Sequence, residues 1–249
     1  MIKIKTFSEI EKMTKSGEIL TEVKQIVFDA IVPGITTIEL DKIAFEAIKA
    51  RKAKPAFLGY GGFPGTACIS VNEELIHGIP GSRVIQEGDV VSVDMGAIWQ
   101  GYYSDSAFTK GVGKISDKDK KLIQVARDAF YVGIDQIKPG ARVGDIESAI
   151  GDFVKSKGYY VPDGFTGHGI GTKLHEEPQV HNKGSKGTGA LLKDGMVIAI
   201  EPMILQHSDK VIHLDDNWTI ISKDGSNTSH FEHTVLIENG KPVILTGDM

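Results

Sequence analysis

The sequence predicts a mixed α/β (α+β) chain folded as two pseudo-twofold-related halves, about residues 1–113 and 114–249. Three observations predict it. The segment EGDVVSVD, ending at Asp94, returns as DGMVIAIE, ending at Glu201, 107 residues later. A Pro-Gly pair between two helical patterns occurs at Pro33-Gly34 and again at Pro139-Gly140. In each half a later strand carries a second acid, Asp105 in the first and Glu232 in the second. Two generic strands can agree by coincidence. The repeated order of helix, Pro-Gly, helix and strand favours duplication.

The elements follow in order. Ser8 and Glu11 have capping-box spacing, and Ile10, Met13, Gly17, Leu20, Val23 and Val27 then fall on one helical stripe. After Pro33-Gly34, Thr36 and Glu39 open a second helix running to about Lys52. Ser116 opens a third, with Leu122, Ile123, Ala126, Phe130, Gly133 and Ile137 on one side. A fourth runs from beyond Pro139-Gly140 to about Lys157. Glycines cluster at 59–65, 164–171 and 184–195, which marks tight turns or close backbone approach.

Composition excludes several classes. Of the 249 residues, 41% are hydrophobic and 24% charged, as in an ordinary folded protein rather than a disordered one. A net charge of −5 gives no footprint for nucleic acid or an anionic membrane. Cys68 is the single cysteine, so neither an intrachain disulfide nor a Cys-based zinc cage can form. The N-terminus lacks the apolar core of a signal peptide, and no apolar run reaches the ~20 residues of a membrane span. A cytoplasmic monomer is the expectation.

VVSVDMGAIWQGYYSDSAFT reads as a hairpin. A two-residue turn at Trp99-Gln100 makes Asp94 and Asp105 direct cross-strand partners. Buried like charges repel unless a proton or a cation lies between them. If the halves pack about a twofold, Glu201 and Glu232 join the pair, and one shared proton no longer suffices. One or two divalent cations then balance the site. The alternative is a turn around Gly101 with both acids in solvent.

Among the histidines, His168 in TGHGIG sits between two glycines, whose small size allows close approach to a ligand, and imidazole suits mid-row divalent metals. His175 precedes Glu176-Glu177-Pro178, and His77 follows an apolar pair before a turn; a structural hydrogen-bonding role fits either as well as a catalytic one. His181, His207 and His213 read as solvated. Strand alternation through HFEHT turns His230 to the same face as Glu232 and sends His233 away.

At these residues the sequence resembles the type I methionine aminopeptidases along essentially its whole length, with no room for an N-terminal extension. Asp94, Asp105, His168 in GHGIG, Glu201 in AIEPM and Glu232 in FEHT coincide with the family's five metal ligands. The resemblance implies the pita-bread fold, with an antiparallel sheet and covering helices. It implies a cofactor of two divalent metal ions, from among Co, Mn, Fe, Zn and Ni. Asp105 and Glu232 would bridge the two, Asp94 would chelate one, and His168 and Glu201 would complete the other. Such a pair activates water near neutral pH. Glu201 is then the proton acceptor, His175 binds the scissile carbonyl or oxyanion, and His77 contacts the scissile amide nitrogen. Tyr60, Phe63, Cys68, Leu174 and Trp218 map to the pocket for the methionine side chain, although ordinary core packing also explains Phe63 and Leu174. The substrates implied are new protein N-termini beginning with Met before a small residue.

Three positions depart from the commonest bacterial pattern. Leu174 stands where an aromatic is usual, Gly96 where a hydroxyl residue is common, and His230 where glutamine is frequent. Two rivals remain: a proline-specific peptidase of the same fold, which usually carries an added N-terminal domain, and a non-catalytic binding module of that fold that has lost its ligands. The Gly- and Lys-rich stretch 182–195 reads as a solvated loop, with ribosome contact as a secondary possibility.

Overall fold

The computed structural model describes residues 1–247, so the last two residues of the expected second half lie outside the described residues. Helix α1 spans Phe7–Ala30 and α2 Thr37–Ala50. Strands β1 (Lys54–Pro55), β2 (Ala67–Val71), β3 (Glu74–Ile76), β4 (Val90–Trp99) and β5 (Tyr102–Gly111) complete the first half. The second half opens with α3 (Asp117–Ile134) and α4 (Val143–Ser156). It continues through β6 (Thr166–Gly169), β7 (Glu176–His181), β8 (Val197–Ile200), β9 (Met203–Leu205) and β10 (Val211–His213). It ends with β11 (Ile220–Ser222), β12 (Thr228–His230), β13 (His233–Glu238) and β14 (Lys241–Ile244).

In the first half β4 is flanked by β5 on one side and by β1 and β2 on the other; in the second, the order is β14-β13-β8-β6-β7. All these pairings are antiparallel. Each half keeps its own core. Leu20, Val23, Leu40 and Ile48 of α1 and α2 pack on Ile69, Val91 and Val93. Leu122, Phe130, Ile146 and Ile150 of α3 and α4 pack on Ile198, Ile200 and Val235. Gly17 of α1 is required by close approach, since a Cβ there would run into the Leu245 carbonyl.

The Thr36–Glu39 box and the Ser116 cap form as expected. The first helix starts earlier than expected. Its N-cap is Thr6, whose N–H donates to Glu9 Oε2 at 2.8 Å, rather than Ser8. The reason lies upstream, where the Lys5 N–H donates to the Gly195 carbonyl and holds the chain extended as far as the cap.

The hairpin register also differs from expectation. Asp105 lies opposite Gly96, and Asp94 opposite Ala107. The turn falls at Gln100-Gly101, both with positive φ, 49° and 84°. A tight hairpin turn of this hand needs left-handed backbone at both central residues, which Gly101 adopts without strain and Trp99 would not. The two acids therefore sit diagonally on one face of the sheet, two residues out of direct register.

The halves are stitched at the centre. Ala107 and Glu232 exchange backbone hydrogen bonds, and Thr234 Oγ1 accepts from the Asp105 N–H at 2.9 Å. The acid-bearing stretches of the two halves thus lie side by side.

Candidate active site

Five strands or strand ends deliver the expected acids and imidazole to one place. Asp94 comes from β4, Asp105 from β5, His168 from β6, Glu201 from the end of β8 and Glu232 from the link between β12 and β13. Asp105, His168 and Glu232 are buried, whereas Asp94 and Glu201 are half-buried at the edge of a pocket. Four of the five fall in two groups of candidate ligand atoms, Asp105–His168–Glu232 and Glu201–Glu232 with His230, each within 4.8 Å, while Asp94 lies outside both.

The glycines flanking His168 serve a different end from the one expected. A Cβ on Gly167 would strike the Ala199 carbonyl, and one on Gly169 the Glu177 carbonyl. They let β6 lie tightly between β7 and β8, rather than opening room beside a ligand. His168 Nδ1–H donates to the Gly169 carbonyl at 2.9 Å, which turns Nε2 toward the acids.

Negative charge dominates the cluster, and Lys24 offsets only part of it at Glu232. Burial pushes Asp94 well above the ordinary carboxylate range, and the Asp105 and Glu201 charges add to it. Asp105 rises to about 7, chiefly through burial. Glu201 and Glu232 are pushed well up by burial and then by Asp105. Burial also lowers His168 to about 4 and His230 to about 3, leaving neutral imidazoles. Among the described residues, the buried Asp94 Oδ1, Asp105 Oδ1, Glu232 Oε1 and His230 Nε2 have no hydrogen-bond partner. His168 Nε2 stands 3.8 Å from Asp105 Oδ2 and 3.7 Å from Glu201 Oε1, too far for hydrogen bonds. Orphaned carboxylate oxygens facing an unprotonated imidazole are the donor set of a mid-row divalent cation. The residues fit such ions.

The same acids line a pocket of about 140 Å³ whose other walls come from Phe57, Phe63, Cys68, Leu174 and Trp218, with Tyr60 at its edge. Every expected pocket residue lines it, and so do His77 and His175. Burial pushes the Cys68 thiol well up, so it stays neutral. Phe63 and Trp218 meet edge to face at 5.0 Å. A wider cleft shares His77, His168, His175 and Glu201 with this pocket and continues past Phe165, Thr166 and Gln179.

His175 is exposed on the turn before β7, and Tyr60 reaches it with an Oη···Nδ1 distance of 2.7 Å. The turn is braced from behind. Glu176 accepts from the Thr172 and Lys173 N–H groups and from Lys5 Nζ at 2.9 Å. His77 sits at a left-handed φ of 59°, and burial lowers it to about 4. His181, His207 and His213 are exposed, as expected. His233 turns away to Thr246, as alternation predicts, and His230 turns in.

Sequence reasoning missed three contributors. Phe57 is a pocket wall with no signal beyond its apolar neighbours. Asn182 is buried rather than part of a solvated loop; its side chain donates to the Glu201 carbonyl and accepts from the Met203 N–H, fixing the backbone at Glu201. Lys24 is buried in α1 and donates to Ser106 Oγ at 2.9 Å, while Ser106 Oγ donates to the Glu232 carbonyl.

Comparison with known proteins follows the same lines. Residues 11–239 match metallopeptidase family M24. This chain belongs to that family. Among M24 relatives, methionine aminopeptidase 1 of Bacillus subtilis is 47% identical over 246 residues, covering 99% of each chain. The methionine aminopeptidase of Clostridium perfringens is 46% identical with the same coverage. The crystal structure of the Thermotoga maritima methionine aminopeptidase superposes with a TM-score of 0.97 at 45% identity, covering all of both chains. The Pyrococcus furiosus prolidase gives 0.82 at 27% identity and is matched over 66% of its length. The M24 pita-bread architecture is therefore that of this chain.

Proposed function

We propose that the chain is a metal-dependent methionine aminopeptidase that removes the initiator methionine from new proteins, preferring a small second residue, in the cytoplasm and as a monomer. The reading takes 1–249 as one catalytic unit made of the two halves. The observation that carries it is that one pocket joins an apolar wall to four carboxylates, three of them partly orphaned, and an imidazole. Methionine aminopeptidases matched over 99% of their length at 47% and 46% identity, against 27% for the prolidase, support the same reading over the proline-specific rival. The intact donor set weighs against a binding module without catalysis.

Asp94, Asp105, His168, Glu201 and Glu232 would hold two divalent ions. Ions held there polarise a carbonyl and bring water to ionisation near neutral pH. The rest falls to side chains. The pocket of Phe63, Cys68, Leu174 and Trp218, with Tyr60, takes the methionine side chain and excludes water from it. Glu201 accepts a proton from the attacking water. His175 keeps Nε2–H available when Tyr60 donates to Nδ1, and that N–H faces the scissile carbonyl as negative charge develops. His77, neutral and on the opposite wall, meets the scissile amide nitrogen. The wider cleft accommodates the polypeptide beyond the bond.

The test is release of free methionine from Met-Ala-Ser by metal-loaded protein, with an Xaa-Pro peptide in parallel. Methionine release confined to the first peptide supports the reading. Cleavage of Xaa-Pro alone would move the chain to the prolidase branch, and no cleavage of either would favour the binding module.

A further inference from the structure

His230 is the one imidazole aimed into the acid cluster that the five-ligand pattern does not use. It is 2% exposed, and its Nε2 is buried without a hydrogen-bond partner among the described residues. That nitrogen lies 3.7 Å from Glu201 Oε2 and 3.8 Å from Glu232 Oε2. Neither distance is a hydrogen bond, whose range ends near 3.2 Å. The same two separations describe His168, at 3.7 Å from Glu201 Oε1 and 3.8 Å from Asp105 Oδ2. The two imidazoles thus stand in matching relation to the two oxygens of one carboxylate.

Donor atoms that share an ion at about 2.0–2.2 Å are separated by about 3–4 Å, depending on the angle between them. Both histidines satisfy that spacing. A hydrogen-bonding His230 would instead sit closer to one oxygen. The backbone at His230 is also held: its carbonyl accepts from Thr109 Oγ1 at 2.8 Å, and its N–H donates to the same oxygen at 3.0 Å. The backbone is pinned, so the inward direction of the side chain is built into β12.

We propose that His230 Nε2 is a sixth protein ligand of the metal centre, binding with Glu201 and Glu232 in a donor group distinct from that of Asp105, His168 and Glu232. The inference rests on the metal-centre reading above. A second imidazole in place of a weakly coordinating carboxamide makes the site softer and more nitrogen-rich, which favours later first-row ions over Mn(II).

The test uses the full chain stripped with chelator and reloaded with Co(II) alone. X-ray absorption counts the imidazoles on the bound ions, and calorimetry gives their affinity. Wild type loaded with two Co(II) is expected to show two imidazoles per chain, one on each ion, His230→Gln one, and His168→Gln one. The His230→Gln affinity is expected to fall about tenfold or more, with the ratio of Co(II) to Mn(II) affinity falling too. Affinity loss alone also follows from losing an outer hydrogen bond, so the imidazole count decides. Wild type with one imidazole, unchanged in His230→Gln, overturns the sixth ligand while leaving the centre intact. Wild type that takes up no Co(II) overturns both. Wild-type spectra carry the result even if a variant fails to fold.

Discussion

The Tyr60 hydroxyl lies 2.7 Å from His175 Nδ1, with the rings 5.3 Å apart. A phenol donating to Nδ1 fixes the imidazole in its Nε2–H form. His175 stays accessible from the cleft, but partial desolvation of its ring lowers its pKa, so the neutral form prevails at neutral pH. Tyr60→Phe keeps the pocket wall and removes only this bond. Turnover of Met-Ala-Ser should fall about tenfold with KM nearly unchanged, since the lost interaction acts on developing charge. His175→Ala should fall further, also in kcat. A variant in which only KM rises assigns His175 to substrate binding instead.

Lys5 and Glu176 form the second brace. Their side chains are 4% and 5% exposed and the N···O distance is 2.9 Å. Burial raises the Glu176 pKa, but the Lys5 hydrogen bond and charge outweigh it and hold the carboxyl below its usual value. Lys5→Met should cost about 3 kcal/mol of stability, as for a broken buried pair, and loosen the His175 turn. Because the folded-state pKa is depressed, the stabilisation is present above the unfolded pKa. It is lost as pH falls through the folded one. Thermal denaturation of wild type and variant should therefore converge below about pH 4. Curves that stay parallel into acid would show that the pair contributes nothing.

Metal removal gives a prediction of opposite sign. In chelator-stripped protein the four acids carry raised pKa values, Asp105 at about 7. The folded state then binds more protons than the unfolded chain between the ordinary carboxylate range and those raised values. Stability of the stripped protein should fall as pH rises through that window, and added Co(II) or Mn(II) should restore it most at pH 8. A melting temperature of stripped protein that is flat from pH 5 to 8 would mean the acids are compensated in some other way.

Asn182 offers a test of backbone support. Asn182→Ala removes both hydrogen bonds that fix the chain on either side of Pro202. Activity should drop, and metal affinity with it, while the melting temperature of the stripped protein moves by only about 1–2 kcal/mol equivalent. Full activity would reduce Asn182 to packing.

What was legible in the sequence was the part written as repetition. The two Pro-Gly pairs, the two strand-acid segments and the Thr36 and Ser116 caps all lie in the elements they predict. The inward turn of His230 and the outward turn of His233 followed from alternation alone. Register was harder. Trp99-Gln100 and Gln100-Gly101 differ by one residue, and only the backbone demand for left-handed φ at both positions separates them. Asn182, Lys24 and Phe57 were not legible, because their roles come from contacts far along the chain. Asn182 meets residues around 201–203, and Lys24 reaches Glu232 through Ser106 and by its charge. The glycines beside His168 were visible, but their reason, the carbonyls of β7 and β8, was not.

The central claim is that the cage of acids acts only when cations fill it, with Glu201 as the proton acceptor. The most direct measurement is methionine release from Met-Ala-Ser by one preparation, assayed stripped, reloaded with Co(II), and as reloaded Glu201→Gln. The account predicts release in the second case alone, with the variant slower by about a hundredfold or more while remaining folded. Equal rates in the stripped and reloaded samples, or a Glu201→Gln protein at the wild-type rate, would contradict it.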